Sequence, residues 1–169
     1  MTVLTTTFKK LIARPTTELG LLLLTLTAFF ACGKRDTRFS PEKRRITDSI
    51  ISSIGTEDSL TQIQKTMEQR GDRLGSIVAL RELGRRMRNQ SRFDKALKYH
   101  FNGLKQAENV HDTLEIVKAL NNIGTDYRRL GVLDVAADYH YRALTMSQEY
   151  NDTSSQAQRN RVVSLNGLG

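Results

Sequence analysis

A period of forty residues is the feature of this sequence that most restricts its fold. Six pairs of identical or similar residues stand forty positions apart in the part of the chain after residue 70. These pairs are Leu83 and Ile123, Gly84 and Gly124, Ala96 and Ala136, Tyr99 and Tyr139, His100 and His140, and Leu104 and Leu144. A fixed period of roughly 20–50 residues is typical of chains that stack copies of one supersecondary unit. The sequence therefore predicts a repeat architecture.

Within a unit, apolar residues recur at the three- and four-residue spacing of an α-helix. One series runs from Ile77 to Met87 and a second from Phe93 to Leu104, with a polar break at residues 89–91. No proline follows residue 41, so the strongest helix breaker is missing from the repeats. Each unit is therefore expected to be a helical hairpin, and the fold class is all-α.

Several polar residues stand where helices are expected to begin. Ser91 is the expected N-cap of the second helix in its unit, with Asp94 three residues later. Asp48, Asp58 and Asp112 each precede a Ser or Thr and then an apolar residue, and N-capping explains these pairs. The same pairs resemble O-glycosylation sites of exported Bacteroidetes proteins, and this alternative stays open.

The repeats divide the chain from residue 41 onward into four units. Clear units span about 74–110 and 114–150, a degenerate unit spans about 41–70, and an incomplete unit spans 155–169. The incomplete unit carries Val162, Val163, Leu165 and Leu168 without the second helix that would cover them. Because stacked repeats need a polar terminal cap, we expect the chain to be a piece of a longer protein.

The first 31 residues have the pattern of a secretory signal peptide. Lys9, Lys10 and Arg14 precede an uncharged apolar run over residues 19–31 that ends in a small residue. As a helix this run is only about 20 Å long, which is too short for a hydrocarbon core of roughly 30 Å.

Cys32, the only cysteine of the chain, directly follows the apolar run. Phe29-Phe30-Ala31-Cys32 resembles the lipobox of bacterial lipoproteins, which implies that Cys32 is acylated and becomes the mature N-terminus. Residues 32–40 would then be a polar, basic tether, although a solvated linker explains them equally well. The residue after the cysteine is Gly33, not the aspartate that resembles an inner-membrane retention signal. The expected location is thus the cell envelope, on the periplasmic face of the outer membrane.

Residues of the two clear units carry a resemblance to a known family. Ile123-Gly124, Tyr127, Gly131, Ala136 and Ala143-Leu144 are similar to the tetratricopeptide repeat, in its long forty-residue variant. The resemblance covers about residues 57–169. It implies a right-handed α-α superhelix, a solenoid of antiparallel helical hairpins whose first helices line a concave, peptide-binding face.

Carried over position by position, the resemblance places nine polar residues on that concave face. They are Arg81, Arg85, Arg88, Asn89, Lys118, Asn121, Asn122, Thr125 and Arg128. Long cations with interleaved amides could hold the carboxylates of an acidic protein or peptide partner. A solvated basic helix face explains the same residues in a chain of net charge +8, and the sequence does not decide between them.

Motifs of catalysis are missing from the sequence: it has no phosphate loop, dinucleotide glycine pattern, serine elbow or zinc-binding histidine pair. We expect neither an enzyme nor a cofactor, metal or small-molecule substrate, and we interpret His100 and His140 as structural. Export would keep the basic surface away from nucleic acid. The function expected is that of an envelope-anchored scaffold for protein–protein interaction. The alternative is the sensory part of a membrane signalling protein whose kinase or transcription-factor output lies beyond residue 169.

Overall fold

The computed structural model describes residues 39–150 and 153–169, and within these ranges all regular secondary structure is α-helical. The helices are α1 (Pro41–Ser52), α2 (Glu57–Gln69), α3 (Arg73–Asn89), α4 (Phe93–Asn109), α5 (Thr113–Arg129), α6 (Leu133–Glu149) and α7 (Ser155–Leu168). The predicted all-α fold is confirmed for this part of the chain. The expected signal peptide and Cys32 lie outside the described residues.

The forty-residue period consists of two similar halves of twenty residues. Each of the helices α3 to α6 is 17 residues long, and three residues connect α3 to α4, α4 to α5 and α5 to α6. The middle linking residue adopts the left-handed conformation at Ser91 and His111 (φ 58° and 52°), and at Gly131 (φ 80°). Gly71 (φ 73°) occupies the same position between α2 and α3. Four connections of one geometry therefore recur every twenty residues.

Backbone hydrogen bonds explain why this connection is so short. The N–H of Ser91 donates to the carbonyl of Arg88 at 2.9 Å, and the N–H of Arg92 donates to the carbonyl of Met87 at 2.9 Å. This pair of bonds is the Schellman motif, which satisfies the last free carbonyls of a helix and turns the chain. The next helix can then begin within two residues.

The expected N-cap at Ser91 is wrong for this reason. Since Ser91 takes the left-handed position that ends α3, the N-cap of α4 falls one residue later, on Arg92, which makes no side-chain cap bond. Asp112, by contrast, caps α5, because its side chain accepts a bond from the N–H of Glu115. Asp58 lies in the first turn of α2 after the N-cap Thr56, and Asp48 lies inside α1.

The helices form two layers. In the first layer, α1 packs against α3, α3 against α5, and α5 against α7. We call these four helices the first-helix layer. The second layer contains α2, α4 and α6: α2 packs on α3, α4 on α3 and α5, and α6 on α5 and α7. Buried apolar residues such as Leu60, Leu74, Leu83 and Ile123 fill the space between the layers. One hairpin could not bury these residues alone.

Two histidines of the second layer fill gaps left by glycines in the first. His100 and His140 are each 1% exposed. A Cβ atom added to Gly84 would lie 2.3 Å from Nε2 of His100. A Cβ atom added to Gly124 or Gly167 would lie 2.8 Å or 2.3 Å from the ring of His140. These contacts fix how closely the layers approach.

The last described helix buries mainly small side chains. Ala157 and Ser164 of α7 are buried, whereas Val162, Val163 and Leu165 are between 45% and 54% exposed. Since α5 begins at Thr113, the forty-residue period predicts that α7 begins at position 153, but it begins two residues later, at Ser155. Nowhere in the described residues is a helix both long and apolar enough to cross a membrane.

The glycine–histidine contact predicts a specific cost of substitution. We expect Gly84→Ala to destabilise the protein by about 1–3 kcal/mol, because its methyl group would overlap the buried ring of His100. Gly55→Ala is the matched control, since nothing lies within 4 Å of its added methyl group. Urea denaturation measures both. Equal denaturation midpoints for the two variants would contradict this account of the layer contact.

Candidate functional site

A polar groove of about 430 Å³ opens on the first-helix layer. It is lined by Asp48, Arg81, Arg88, Lys118, Asn121, Asn122, Thr125, Gln156, Asn160 and Val163. Six of the nine residues expected on the concave face are among them. The remaining lining residues come from α1 and α7. We call this the first-helix groove.

The other three expected residues lie outside this groove. Arg85 lines an adjacent groove of about 410 Å³ between α1 and α3, which shares Asp48, Arg81 and Asn122 with the first. Asn89 is exposed at the last position of α3. Arg128 is exposed, and its guanidinium donates to the carbonyl of Asn166 at 3.3 Å.

Within the part of the chain that the structure describes, four of the five cations expected on this face form internal ion pairs. Arg88 contacts Asp126 at 3.0 Å, and Arg85 contacts Glu82 at 2.6 Å. A bridging carboxylate, described next, pairs with Arg81 and Lys118. The first-helix groove is therefore a polar surface with compensated charge, not a row of free cations.

Glu115 is the carboxylate on which these charges converge. Its Oε1 accepts from Nη1 of Arg44 at 2.5 Å and from Nζ of Lys118 at 2.8 Å, while its Oε2 accepts from Nη1 of Arg81 at 2.6 Å. Arg44 also contacts Asp112 at 2.6 Å, and Arg81 also contacts Asp48. We call this set the Glu115 network.

Burial and charge act on Glu115 in opposite directions. Removal from water disfavours the charged form, but Arg81, Lys118 and Arg44 outweigh it and lower the pKa of the carboxyl to about 2. Burial lowers the pKa of the Lys118 ammonium, and the positive charge of Arg81 lowers it further. The negative charge of Glu115 acts in the opposite direction, but it does not cancel this shift. Glu115 is thus ionised at neutral pH in spite of its burial, because three cations surround it.

Asn121 joins the groove to the interior of the stack. Its Oδ1 accepts from Nδ1 of His140 at 3.1 Å and from the hydroxyl of Ser164 at 2.9 Å, while its Nδ2 donates to the carbonyl of Asn160. Burial, and secondarily the charge of Arg128, lowers the pKa of His140, which favours the neutral ring. One amide therefore ties α5, α6 and α7 together.

His100 has a different partner from its repeat equivalent. Its Nδ1 contacts Oδ2 of Asp126 at 2.5 Å, and the other oxygen of Asp126 binds Arg88. Among the described residues, no group of three or more His, Cys, Asp or Glu side chains is arranged to hold a metal ion.

Sequence reasoning identified the cations of this face and missed their partners. Spacing alone could have found some of them, because Glu82 stands three residues before Arg85, and Glu115 three before Lys118. Arg44 is 71 residues from Glu115, and no local pattern links the two.

No protein-family model and no curated protein sequence matches the chain.

The Glu115 network predicts a large effect from a small change. We expect Glu115→Gln to lower the free energy of unfolding at neutral pH by about 3–5 kcal/mol, because it leaves buried cations without their counter-charge. The exposed pair of Glu42 with Arg45 supplies the control, and Glu42→Gln is expected to leave the urea midpoint unchanged. A small, equal effect of both changes would refute the role of Glu115.

The lowered pKa of Glu115 also predicts acid sensitivity. Stability that depends on a depressed carboxyl pKa is present above the ordinary value of 4.5 and is lost as the pH falls through about 2. We expect the wild type to lose about 3 kcal/mol more than Glu115→Gln between pH 5 and pH 2. Urea denaturation at several pH values measures the difference, and parallel curves for the two proteins would contradict it.

Proposed function

We propose that the chain is an exported, lipid-anchored scaffold of the tetratricopeptide type that binds a partner polypeptide in the first-helix groove. The observation that supports this is the gathering of six face residues, from helices separated in sequence, around one continuous groove. Grooves between packed helices are common sites for a bound peptide.

The chemistry of the groove favours recognition of peptide backbone over recognition of acidic side chains. The cations are already paired with Asp48, Glu115 and Asp126. The amide nitrogen of Asn122 donates to the carbonyl of Lys118, and the hydroxyl of Thr125 donates to that of Asn121. The second N–H of the Asn122 amide, the hydroxyl oxygen of Thr125 and the amide of Gln156 remain as donors and acceptors along the groove wall. Binding by such groups should depend only weakly on salt, because no net charge has to be screened.

A right-handed superhelix of tetratricopeptide-type hairpins is part of this proposal. It is supported by equal 17-residue helices, by three-residue connections of one geometry, and by glycines at the layer contacts. Each additional hairpin placed by the same turn would lengthen the first-helix groove.

Site-specific photocrosslinking in the native envelope tests the groove. We expect a photoreactive phenylalanine at Thr125 or Gln156 to give a discrete crosslinked product, because both positions line the groove. The matched control position is Asp138, which is exposed on α6 in the other layer. The same product from position 138, or no product from the groove positions, would contradict the proposal.

Acylation of Cys32 is the second element of the proposal, and it has its own test. We expect a palmitate analogue fed to cells to label the wild-type chain and not Cys32→Ala, because the thioether bond requires the thiol. Separation of membranes would then find the variant in the soluble fraction, because it would carry no acyl chain to hold it in the bilayer. Label retained in Cys32→Ala would exclude the lipobox interpretation.

A further inference from the structure

A second groove, of about 650 Å³, lies on the opposite layer of the stack. Its walls are α2 and α4, and its floor is Leu80 of α3. The lining residues are Thr61, Gln64, Lys65, Glu68, Arg73, Leu80, Lys95, Lys98, Tyr99, Asn102, Lys105, Gln106 and Asn109. We call it the outer groove.

The outer groove carries unneutralised positive charge. Five of its lining residues are exposed cations, and within the described part of the chain none of the five forms an ion pair: Lys65, Arg73, Lys95, Lys98 and Lys105. Glu68 is the single acidic residue of the lining. Its two oxygens accept from the amides of Gln64 and Gln106 at 3.0 Å each, so it is not paired with a cation. Five cations against one carboxylate leave a net charge of +4 in the groove.

The repeat itself does not impose this charge. Forty residues after Lys95, Lys98 and Lys105 stand Val135, Asp138 and Thr145. Like charges held along one groove repel one another and cost stability, whereas each of the three cations that line the first-helix groove is paired. The cations of the first-helix groove are paired, whereas those of the outer groove are not paired within the described residues. This difference points to an anionic ligand for the outer groove.

The geometry of the groove selects among anionic ligands. Lys95, Lys98, Asn102, Lys105 and Asn109 follow one another at intervals of three or four residues, so they form one stripe along α4 about 20 Å long. Lys65 and Arg73 face this stripe from the other side. The apolar floor at Leu80 is recessed, being only 4% exposed, and a flat bilayer surface cannot reach it.

We propose that the outer groove binds an acidic segment of a partner polypeptide, whose carboxylates contact the lysines of α4 and α2 while its backbone lies over Tyr99 and Leu80. A segment of roughly fourteen helical residues matches the length of the stripe. This surface is separate from the first-helix groove and does not depend on the function proposed for it. Ammonium–carboxylate contacts at exposed positions are weak singly, so several must act together.

A direct binding measurement tests the proposal on the full chain. The probe is a fluorescein-labelled 14-residue peptide of glutamate and alanine, with a glutamine-for-glutamate peptide as its neutral counterpart. The groove variant combines Lys95→Gln, Lys98→Gln and Lys105→Gln. The control variant combines Lys43→Gln, Arg129→Gln and Arg159→Gln, which removes the same charge from exposed residues outside this groove.

We expect the wild type and the control variant to bind the acidic peptide alike, and the groove variant to bind it at least about tenfold more weakly, since three ion pairs are lost. Binding should weaken as salt is added, and the neutral peptide should not bind. An equal loss of affinity for the acidic peptide in both triple variants would mean that net charge alone explains the binding, and it would overturn the proposal. Binding of phosphatidylglycerol vesicles that requires the three lysines, without binding of the peptide, would assign the groove to a membrane and overturn it as well. Unchanged melting temperatures of both variants will show that folding is not the cause.

Discussion

The buried carboxylate of Glu115 links three helices of the first-helix layer through ion pairs. It binds Arg44 of α1, Arg81 of α3 and Lys118 of α5, so one side chain connects three members of the first-helix layer. In most helical repeats each unit contacts only its neighbours, and stability is close to a sum of local terms. Here α1 is tied directly to the N-terminal turn of α5, past the intervening hairpin, and the described repeats are coupled more strongly than a simple stack.

The same network decides what each surface can recognise. Because Glu115, Asp48 and Asp126 neutralise the cations of the first-helix groove, that groove presents amides and hydroxyl groups as its recognition chemistry. Among the residues that the structure describes, the lysines of the outer groove have no such partners, and they are exposed to solvent. A single chain thus offers two grooves with different electrostatic character, one on each layer.

Much of the fold could be predicted from the sequence because its determinants are local and repeated. The three- and four-residue apolar spacing predicts the helices, and the forty-residue period predicts that they recur. The N-cap at Ser91 was wrong because a serine in the left-handed position is rare, and nothing in its neighbours identifies it as the end of α3 rather than the start of α4. Gly131 marks the same position by its residue type.

The candidate sites were harder to predict because they depend on contacts between distant residues. The pairing of Arg44 with Glu115 joins positions 71 residues apart. The carboxylates that neutralise Arg81 are also distant in sequence, since Glu115 is 34 residues from it and Asp48 is 33. The outer groove was not predicted because Lys65 and Lys95 belong to different helices, α2 and α4. Only the packing of these two helices on α3 brings the lysines to one cleft. Charge counted along the sequence does not distinguish a paired cation from an unpaired one.

The fit of each histidine ring into a glycine gap has a consequence for how such a chain can evolve. A methyl group at position 84 becomes acceptable only after the ring at position 100 has been replaced by something smaller. That replacement alone would leave a void, and Oδ2 of Asp126 would lose its contact with the ring. Neither substitution can come first without a loss, so the two positions form an epistatic pair across the two helices of one hairpin. Any lineage that loses this contact must pass through a less stable intermediate. It stays folded only if the rest of the stack is stable enough to tolerate that loss.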